Sequence, residues 1–171
     1  MLFRMQERRC ASRYIHALFQ LARYMVIPIF LAICEIWATP LFAAQAKIII
    51  GDDRGGAVDA RARIIRGYRK QGAHLEIRGN YCLSSCTMYL SLRDVCVLPD
   101  TLFGFHGPSS AIFSIGLSPA AFEYWSRIMA AHYPEPVRTW FLQEGRNRTM
   151  GFHIYHGWQL INMGIRRCPE T

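Results

Sequence analysis

From position 47 onward, short apolar runs alternate with amphipathic stretches. Lys47–Ile50 is mostly β-branched and predicts a buried strand. Residues 57–70 place alanines and isoleucines on one face and arginines on the others, which predicts a helix that ends at Gln71 and Gly72. Residues 73–78 alternate between apolar and polar positions and predict a second strand.

The rest of the chain continues this alternation without an internal repeat or a domain linker. Because strands alternate with helices, we expect one α/β domain over 47–171, with a mostly parallel sheet and helices packed around it. The predicted segments are a turn at 79–86 that leads into a helix to 92, strands at 95–98 and 101–105, and helices at 118–131, 137–144 and 153–163.

Residues 1–46 have a different pattern. Arginines dominate the first 23 residues, an apolar run covers Met25–Cys34, and small residues end at 44–46. This order is typical of a secretory signal peptide and predicts cleavage after Ala46 or Ala43. An uncleaved membrane anchor is the alternative, although ten apolar residues are fewer than the roughly 20 of a full span. Both interpretations predict an exported domain that is periplasmic, secreted or membrane-anchored.

Composition and charge narrow the function classes. With 171 residues, 51% of them hydrophobic, the chain can bury a core but has room for only one domain. The net charge of +8 comes mostly from arginines that are spread along the chain rather than grouped in a basic block. We therefore expect no nucleic-acid partner, and a basic surface that can be attracted to anionic membranes or polymers.

The predicted mature part holds four cysteines, at 82, 86, 96 and 168. An even number in an oxidising compartment predicts two disulfides, and three pairings are open. A bridge from Cys82 or Cys86 to Cys96 or Cys168 would pin the turn between the first two. Cys82 and Cys86 are not spaced as in a zinc ribbon, and no second pair of closely spaced cysteines follows them. We therefore expect neither a metal nor a cofactor.

Candidate chemistry lies where a strand and turn lead into a helix. Ser84 and Ser85 begin the predicted helix, whose free backbone N–H groups could hold an oxyanion. Gly55 and Gly56 form a turn after the first strand and offer more such groups. His106 follows the fourth strand and could serve as the base that a serine hydroxyl needs. Each alone is as readily a turn, a helix cap or a surface histidine, so the hypothesis depends on their order and spacing.

The combined motifs resemble the Clp-protease/crotonase superfamily, and in particular the exported Clp-protease-like proteins of bacteria. The resemblance runs through Ile48–Gly56, Ile77–Cys86, Val97–Pro99 and Phe103–Pro108, with a weaker echo at 161–165. It implies repeated β-β-α units. It also implies a peptide or unfolded protein as substrate, bound by strand addition, and a homo-oligomer.

The resemblance assigns roles to individual residues. Ser84 matches the nucleophile and His106 the general base, while Gly55, Gly56 and the N–H of Ser85 match the oxyanion-binding turn. A shift of one residue in the alignment would make Ser85 the nucleophile instead.

One member of the family's catalytic set has no clear counterpart. The aspartate that orients the histidine is missing, because no aspartate occurs after Asp100; Asn147 and Glu144 lie nearest to the expected place, and Asn147 is the candidate substitute. Losing such a carboxylate costs about 10⁴-fold in kcat in a trypsin-type enzyme. Two hypotheses follow: a serine hydrolase of peptidase type with a Ser-His dyad, and a catalytically degenerate, disulfide-stapled binding or assembly module of the same fold.

Overall fold

The structure is a computed structural model that describes residues 45–110 and 116–170. Within these residues no helix is both long and apolar enough to cross a membrane. The predicted leader lies outside them except for its last two residues. Of these, Gln45 donates hydrogen bonds to the Gly72 carbonyl and to Asp94, and the Ala46 carbonyl accepts from the His74 N–H at 2.9 Å.

The described residues form an α/β domain in which strands and helices largely alternate. The strands are β1 Lys47–Ile50, β2 His74–Ile77, β3 Tyr81–Leu83, β4 Val95–Val97, β5 Leu102–Phe105, β6 His153–His156 and β7 Arg166–Arg167. The α-helices are α1 Val58–Lys70, α2 Pro119–Ala130, α3 Val137–Gln143 and α4 Gly157–Asn162. Two 3₁₀ helices, Ser84–Ser91 (called the serine helix below) and Gly145–Asn147, complete the set.

The first sheet is parallel throughout and has the strand order β1-β2-β4-β7. Leu75, Ile77 and Val97 are fully buried in the hydrophobic core, as expected for strands of a parallel sheet. Ile65 of α1 is also fully buried and packs into the same core. The predicted α/β class with a mostly parallel sheet is confirmed.

The second sheet, with the order β3-β5-β6, departs from the sequence-based prediction. The sequence predicts a turn at Tyr81–Leu83, but this segment pairs in parallel with β5. It predicts the start of a helix at His153–His156, but this segment forms a strand antiparallel to β5, and only Gly157–Asn162 is helical. The alternating exposure of β6 explains the strand, because His153 and Tyr155 face inward while their neighbours face solvent.

Aromatic side chains fill the space between the second sheet and the helices. Phe105 is in edge contact with Tyr133, Trp140 and Tyr155, with ring centroids 5.5–5.9 Å apart. Such edge-to-face contacts favour a fixed arrangement of the rings. The carboxyl end of β5, and therefore the position of the residue that follows it, is anchored by this cluster.

Candidate active site

Ser84 lies where β3 ends and the serine helix begins. Its φ of 53° is in the left-handed region, which a residue with a Cβ rarely occupies and then mostly at functional sites. Thr87 stabilises this turn, because its hydroxyl donates a hydrogen bond to the Ser84 carbonyl at 2.7 Å. The same hydroxyl lies 2.9 Å from the buried Tyr133 hydroxyl. The chain therefore fixes the Ser84 backbone in an unusual conformation.

His106 follows β5, the parallel neighbour of β3, so both residues lie at the same edge of the second sheet. Leu83 is in register with Gly104, which explains why the residues just beyond these strands can meet. The Ser84 Oγ is 2.7 Å from the His106 Nε2, a distance suited to a hydroxyl that donates to the imidazole. The structure thus brings this serine and this histidine into direct contact.

The surroundings of His106 favour its neutral form. Burial lowers the pKa of His106 from its ordinary value, and a hydrogen bond between the ring and the backbone of Gly107 offsets this in part. The ring of Phe152 packs edge-on against the imidazole at 5.2 Å. A neutral imidazole beside a serine hydroxyl can accept the proton that the hydroxyl loses when it attacks.

The glycine turn packs directly against the serine. Gly55 and Gly56 have φ values of 94° and 143°, which favour glycine. A Cβ on Gly55 would lie 2.6 Å from the Ser84 Cβ, so only glycine allows this approach. Backbone hydrogen bonds between Asp53 and the ends of β3, 2.8 and 3.1 Å long, join the turn to the strand that carries Ser84.

Two charged residues that the sequence pattern does not single out support the glycine turn. The Asp53 carboxylate accepts the Gly55 N–H at 2.7 Å and forms an ion pair with Arg61 at 2.8 Å. The Arg61 guanidinium also lies 4.6 Å from the centre of the Tyr89 ring and donates to the Tyr89 hydroxyl. The sequence places Arg61 only among the arginines on the polar faces of α1, and nothing in the spacing indicates its pairing with Asp53.

Ser85 occupies a different environment from Ser84. It is fully buried, and its Oγ has no hydrogen-bond partner among the described residues. Its hydroxyl is therefore closed off from any substrate, whereas Ser84 is half-buried and contacts His106. The Ser85 backbone N is the group that a Cβ on Gly55 would meet at 3.0 Å, so it does lie beside the glycine turn.

The Asn147 side chain does not point to the imidazole. Its amide donates to the Gln143 carbonyl at 3.0 Å. The backbone on either side of it does run beside the histidine, because the Gly107 N–H donates to the Arg148 carbonyl at 2.8 Å. The expected segment is thus adjacent to His106, but the amide is engaged elsewhere.

The four cysteines form two disulfides, Cys82–Cys86 and Cys96–Cys168. The first disulfide therefore joins the two ends of the turn that contains Ser84. The alternative bridge, from Cys82 or Cys86 to Cys96 or Cys168, is not formed. The second disulfide joins β4 to Cys168, which follows β7. The Cys168 N–H also donates a hydrogen bond to the Val97 carbonyl at 3.0 Å.

His74, Glu76 and Cys96 bring potential metal-ligating atoms within 4.8 Å of one another. However, Cys96 is in a disulfide, and the Glu76 carboxylate accepts hydrogen bonds from Arg78 and Lys47, which lower its pKa to about 2. Three cations or potential cations already surround this carboxylate, so the cluster fits an ion-pair network better than a metal centre.

Comparison with known proteins supports the fold. No protein-family model matches the chain, and no curated protein matches it either. Among solved structures, it is similar to a mutant of the 1510-N membrane-bound stomatin-specific protease in complex with a substrate peptide, with a TM-score of 0.55 and 17% sequence identity. The match covers 70% of this chain and 58% of the other. A likeness at this identity shows the protease-like fold alone.

Proposed function

We propose that the protein is an exported serine hydrolase of peptidase type, related to the Clp-protease/crotonase superfamily, with Ser84 as nucleophile and His106 as general base. The observation that carries the proposal is the 2.7 Å contact between the Ser84 Oγ and the His106 Nε2 on a left-handed turn. The neighbouring structure is a protease bound to a substrate peptide, which supports a peptide as substrate.

The chemistry proposed for these residues is acyl transfer. The Ser84 Oγ attacks the peptide carbonyl carbon, its proton moves to the His106 Nε2, and the carbonyl oxygen becomes an oxyanion. Backbone N–H groups of Gly56 and Ser85 are the donors expected to stabilise that oxyanion. The imidazolium then gives its proton to the leaving amine, and water attacks the acyl-serine with His106 again acting as base.

The expected rate of peptide turnover depends on which group orients the His106 ring and stabilises its protonated form. The hydrogen bond to the Gly107 backbone can fix the ring, but it supplies no full negative charge to stabilise an imidazolium. We therefore expect slow turnover, by analogy with the loss of about 10⁴-fold when a triad carboxylate is removed. A nucleophilic serine that reacts once with an activated probe is easier to detect than peptide turnover.

The decisive experiment is labelling of the full chain, with its disulfides intact, by a fluorophosphonate probe. Ser85→Ala is the matched control for Ser84→Ala, because it removes the adjacent hydroxyl, which is buried and lacks a partner among the described residues. We expect labelling in the wild type and Ser85→Ala, and its loss in Ser84→Ala and His106→Ala. A folded wild type that does not label would overturn the hydrolase proposal.

The second candidate is a binding or assembly module of the same fold. It is favoured by one observation: the Asn147 amide, the expected substitute for the missing aspartate, is bonded to Gln143. In this role the protein would hold an extended peptide beside the glycine turn without cleaving it. Failure of the probe together with binding of peptides in calorimetry would support this candidate.

Export, membrane association and self-association are parts of the proposal that rest on other features. The basic, apolar and small-residue order of residues 1–46 supports export, and two disulfides suit an oxidising compartment. An uncleaved leader would attach the domain to a membrane, and family resemblance supports a homo-oligomer. N-terminal sequencing of the exported protein should find Lys47 or Ala44 if the leader is removed.

A further inference from the structure

The Cys82–Cys86 disulfide closes a small covalent ring of which Ser84 is a member. The ring contains Leu83, Ser84 and Ser85 between the two cysteines, whose Cα atoms are 5.3 Å apart. Four extended residue steps would separate those atoms by about 13 Å. The disulfide therefore requires the chain to reverse within this segment, and Ser84, with its φ of 53°, lies at the reversal.

Other features of the turn oppose this conformation. Ser84 carries a Cβ in the left-handed region, and the Ser85 hydroxyl is buried without a partner among the described residues. Among the described residues, the hydrogen bonds that hold the turn include those from the Thr87 hydroxyl to the Ser84 carbonyl and from the Leu83 N–H to the Asp53 carbonyl, besides the contact of Ser84 with His106. A local conformation of this kind persists only when its surroundings over-determine it.

We infer that the Cys82–Cys86 disulfide positions Ser84 against His106, so that the site is assembled only in the oxidised chain. The inference rests on the proposed function for its consequence: the chain would be inactive in a reducing compartment and would gain activity when the disulfide forms. In that step the two thiols lose two protons and two electrons to a disulfide oxidant, which is reduced to two thiols. Both cysteines are fully buried, so the bond is shielded from reductants once the chain has folded.

The second disulfide provides a matched control. Cys96 and Cys168 are also buried, but their bond joins β4 to the residue that follows β7, and the segment that it closes does not contain Ser84. The full-length variants Cys82→Ala/Cys86→Ala and Cys96→Ala/Cys168→Ala each lose one disulfide and two sulfur atoms. Both are compared with the wild type at a temperature at which circular dichroism shows all three to be folded.

Two readouts are needed to separate this inference from the proposed function. One is the rate of fluorophosphonate labelling. The other is the ¹⁵N chemical shift of the His106 ring, which reports its hydrogen bond to Ser84 whether or not the serine reacts. For Cys82→Ala/Cys86→Ala we expect labelling to fall roughly 10- to 100-fold, because a displacement of about 1 Å can cost about 10²-fold. We also expect a changed ring shift, and neither effect in the control pair.

The outcomes are distinct. If the wild type does not label, the proposed function fails, and the ring shift alone then decides whether the disulfide positions Ser84. The inference is overturned if Cys82→Ala/Cys86→Ala has the same His106 ring shift as the wild type. If the wild type labels, the labelling rate of this variant must also be within twofold of the wild-type rate. Should the alanine pair not fold, Cys82→Val/Cys86→Ala, which refills part of the lost volume, is measured in the same way.

Discussion

Ser84 and His106 show how much of the site depends on the conformation of single residues. A left-handed φ is uncommon for a residue with a Cβ such as Ser84, and Ser84 shares a hydrogen bond with the half-buried imidazole of His106. The site therefore relies on pre-formed geometry. An imidazole that is neutral at neutral pH is the protonation state that a general base needs.

The lowered pKa of His106 leads to a prediction of pH dependence. The base acts only when it is unprotonated, so the labelling rate should fall as pH falls through the pKa of His106. Because burial lowers that pKa below the ordinary value of 6.5, we expect the midpoint of the rate profile below pH 6.5 and a constant rate above about pH 7. The measurement is the labelling rate between about pH 5 and 9.

A second half-buried histidine, His132, serves as the control for this profile. Burial also lowers the pKa of His132, but its Nδ1 is hydrogen-bonded to the Ile128 carbonyl at the carboxyl end of α2, and the charges that act on it are those of Arg69 and Arg66. His132→Gln should leave the profile unchanged. A midpoint above 6.5 in the wild type would contradict the conclusion that burial keeps His106 neutral.

At the scale of residues, the sequence identifies the parts of the site that belong to local motifs. Ser84 and His106 follow β3 and β5, parallel neighbours whose ends lie at one edge of the second sheet, whereas Gly55 and Gly56 follow β1 of the first sheet. It does not identify Arg61, because a long-range ion pair leaves no periodic signal. Nor does it decide between the two serines, since their difference is one of burial, which appears only when the turn is folded.

At the scale of elements, α1 and the glycine turn act together. Arg61 projects from α1 to the Asp53 carboxylate, and Asp53 in turn accepts the Gly55 N–H. The helix thus holds in place the turn whose N–H groups are proposed to bind the oxyanion. The stacked rings of Tyr68 and Tyr89, 6.1 Å apart, add a contact between α1 and the serine helix.

This arrangement predicts different effects for two arginines on the same helix. Arg61→Met removes one partner of a largely buried ion pair, with exposed side-chain fractions of 11% and 20%, so we expect unfolding to become easier by roughly 1–3 kcal/mol. Arg63→Met removes an exposed pair with Asp59 and should cost only about 0.3–0.5 kcal/mol. Urea unfolding measures both values.

Labelling of the same two variants tests the link from helix to turn. We expect the rate to fall in Arg61→Met, because Asp53 loses the cation that fixes it, and to stay unchanged in Arg63→Met. Equal labelling in the two variants would mean that the Gly55 turn keeps its geometry without Arg61.

Short strands account for most of what the sequence does not predict at this scale. β3 has three residues and β7 has two, too few for an alternating pattern to be recognised. β6 does alternate, but its four residues run directly into the helical segment Gly157–Asn162, so the pattern alone also fits the first turn of that helix. The long helices α1 and α2 lie within one residue of their predicted limits, and the strand β1 has the limits predicted for it.

At the scale of the whole domain, the two disulfides have different positions in the topology. Cys82–Cys86 closes a segment with a sequence separation of 4, inside one turn. Cys96–Cys168 spans a separation of 72 and holds β7, which has only two residues, against the edge of the first sheet. The long loop contains β5, α2, α3, β6, α4 and β7, so most of the second half of the domain lies between its ends.

The last prediction concerns how each bond contributes to stability. If a disulfide acts mainly by restricting the unfolded chain, its contribution grows with the length of the loop that it closes: about 2 kcal/mol for Cys82–Cys86 and about 4 kcal/mol for Cys96–Cys168. Both pairs are buried, so the cavities left by alanine should be similar and should largely cancel in the comparison. We therefore expect urea unfolding to show the larger loss in Cys96→Ala/Cys168→Ala.

This order is opposite to the order expected for reactivity, where the pair around Ser84 should matter more. If Cys82–Cys86 contributes less to stability but more to the reactivity of Ser84, the two disulfides have separate roles. Cys96–Cys168 then stabilises the fold, and Cys82–Cys86 positions the serine. If the greater loss of stability and the greater loss of labelling fell on the same pair, reactivity would simply follow stability, and neither bond would have a role specific to the site.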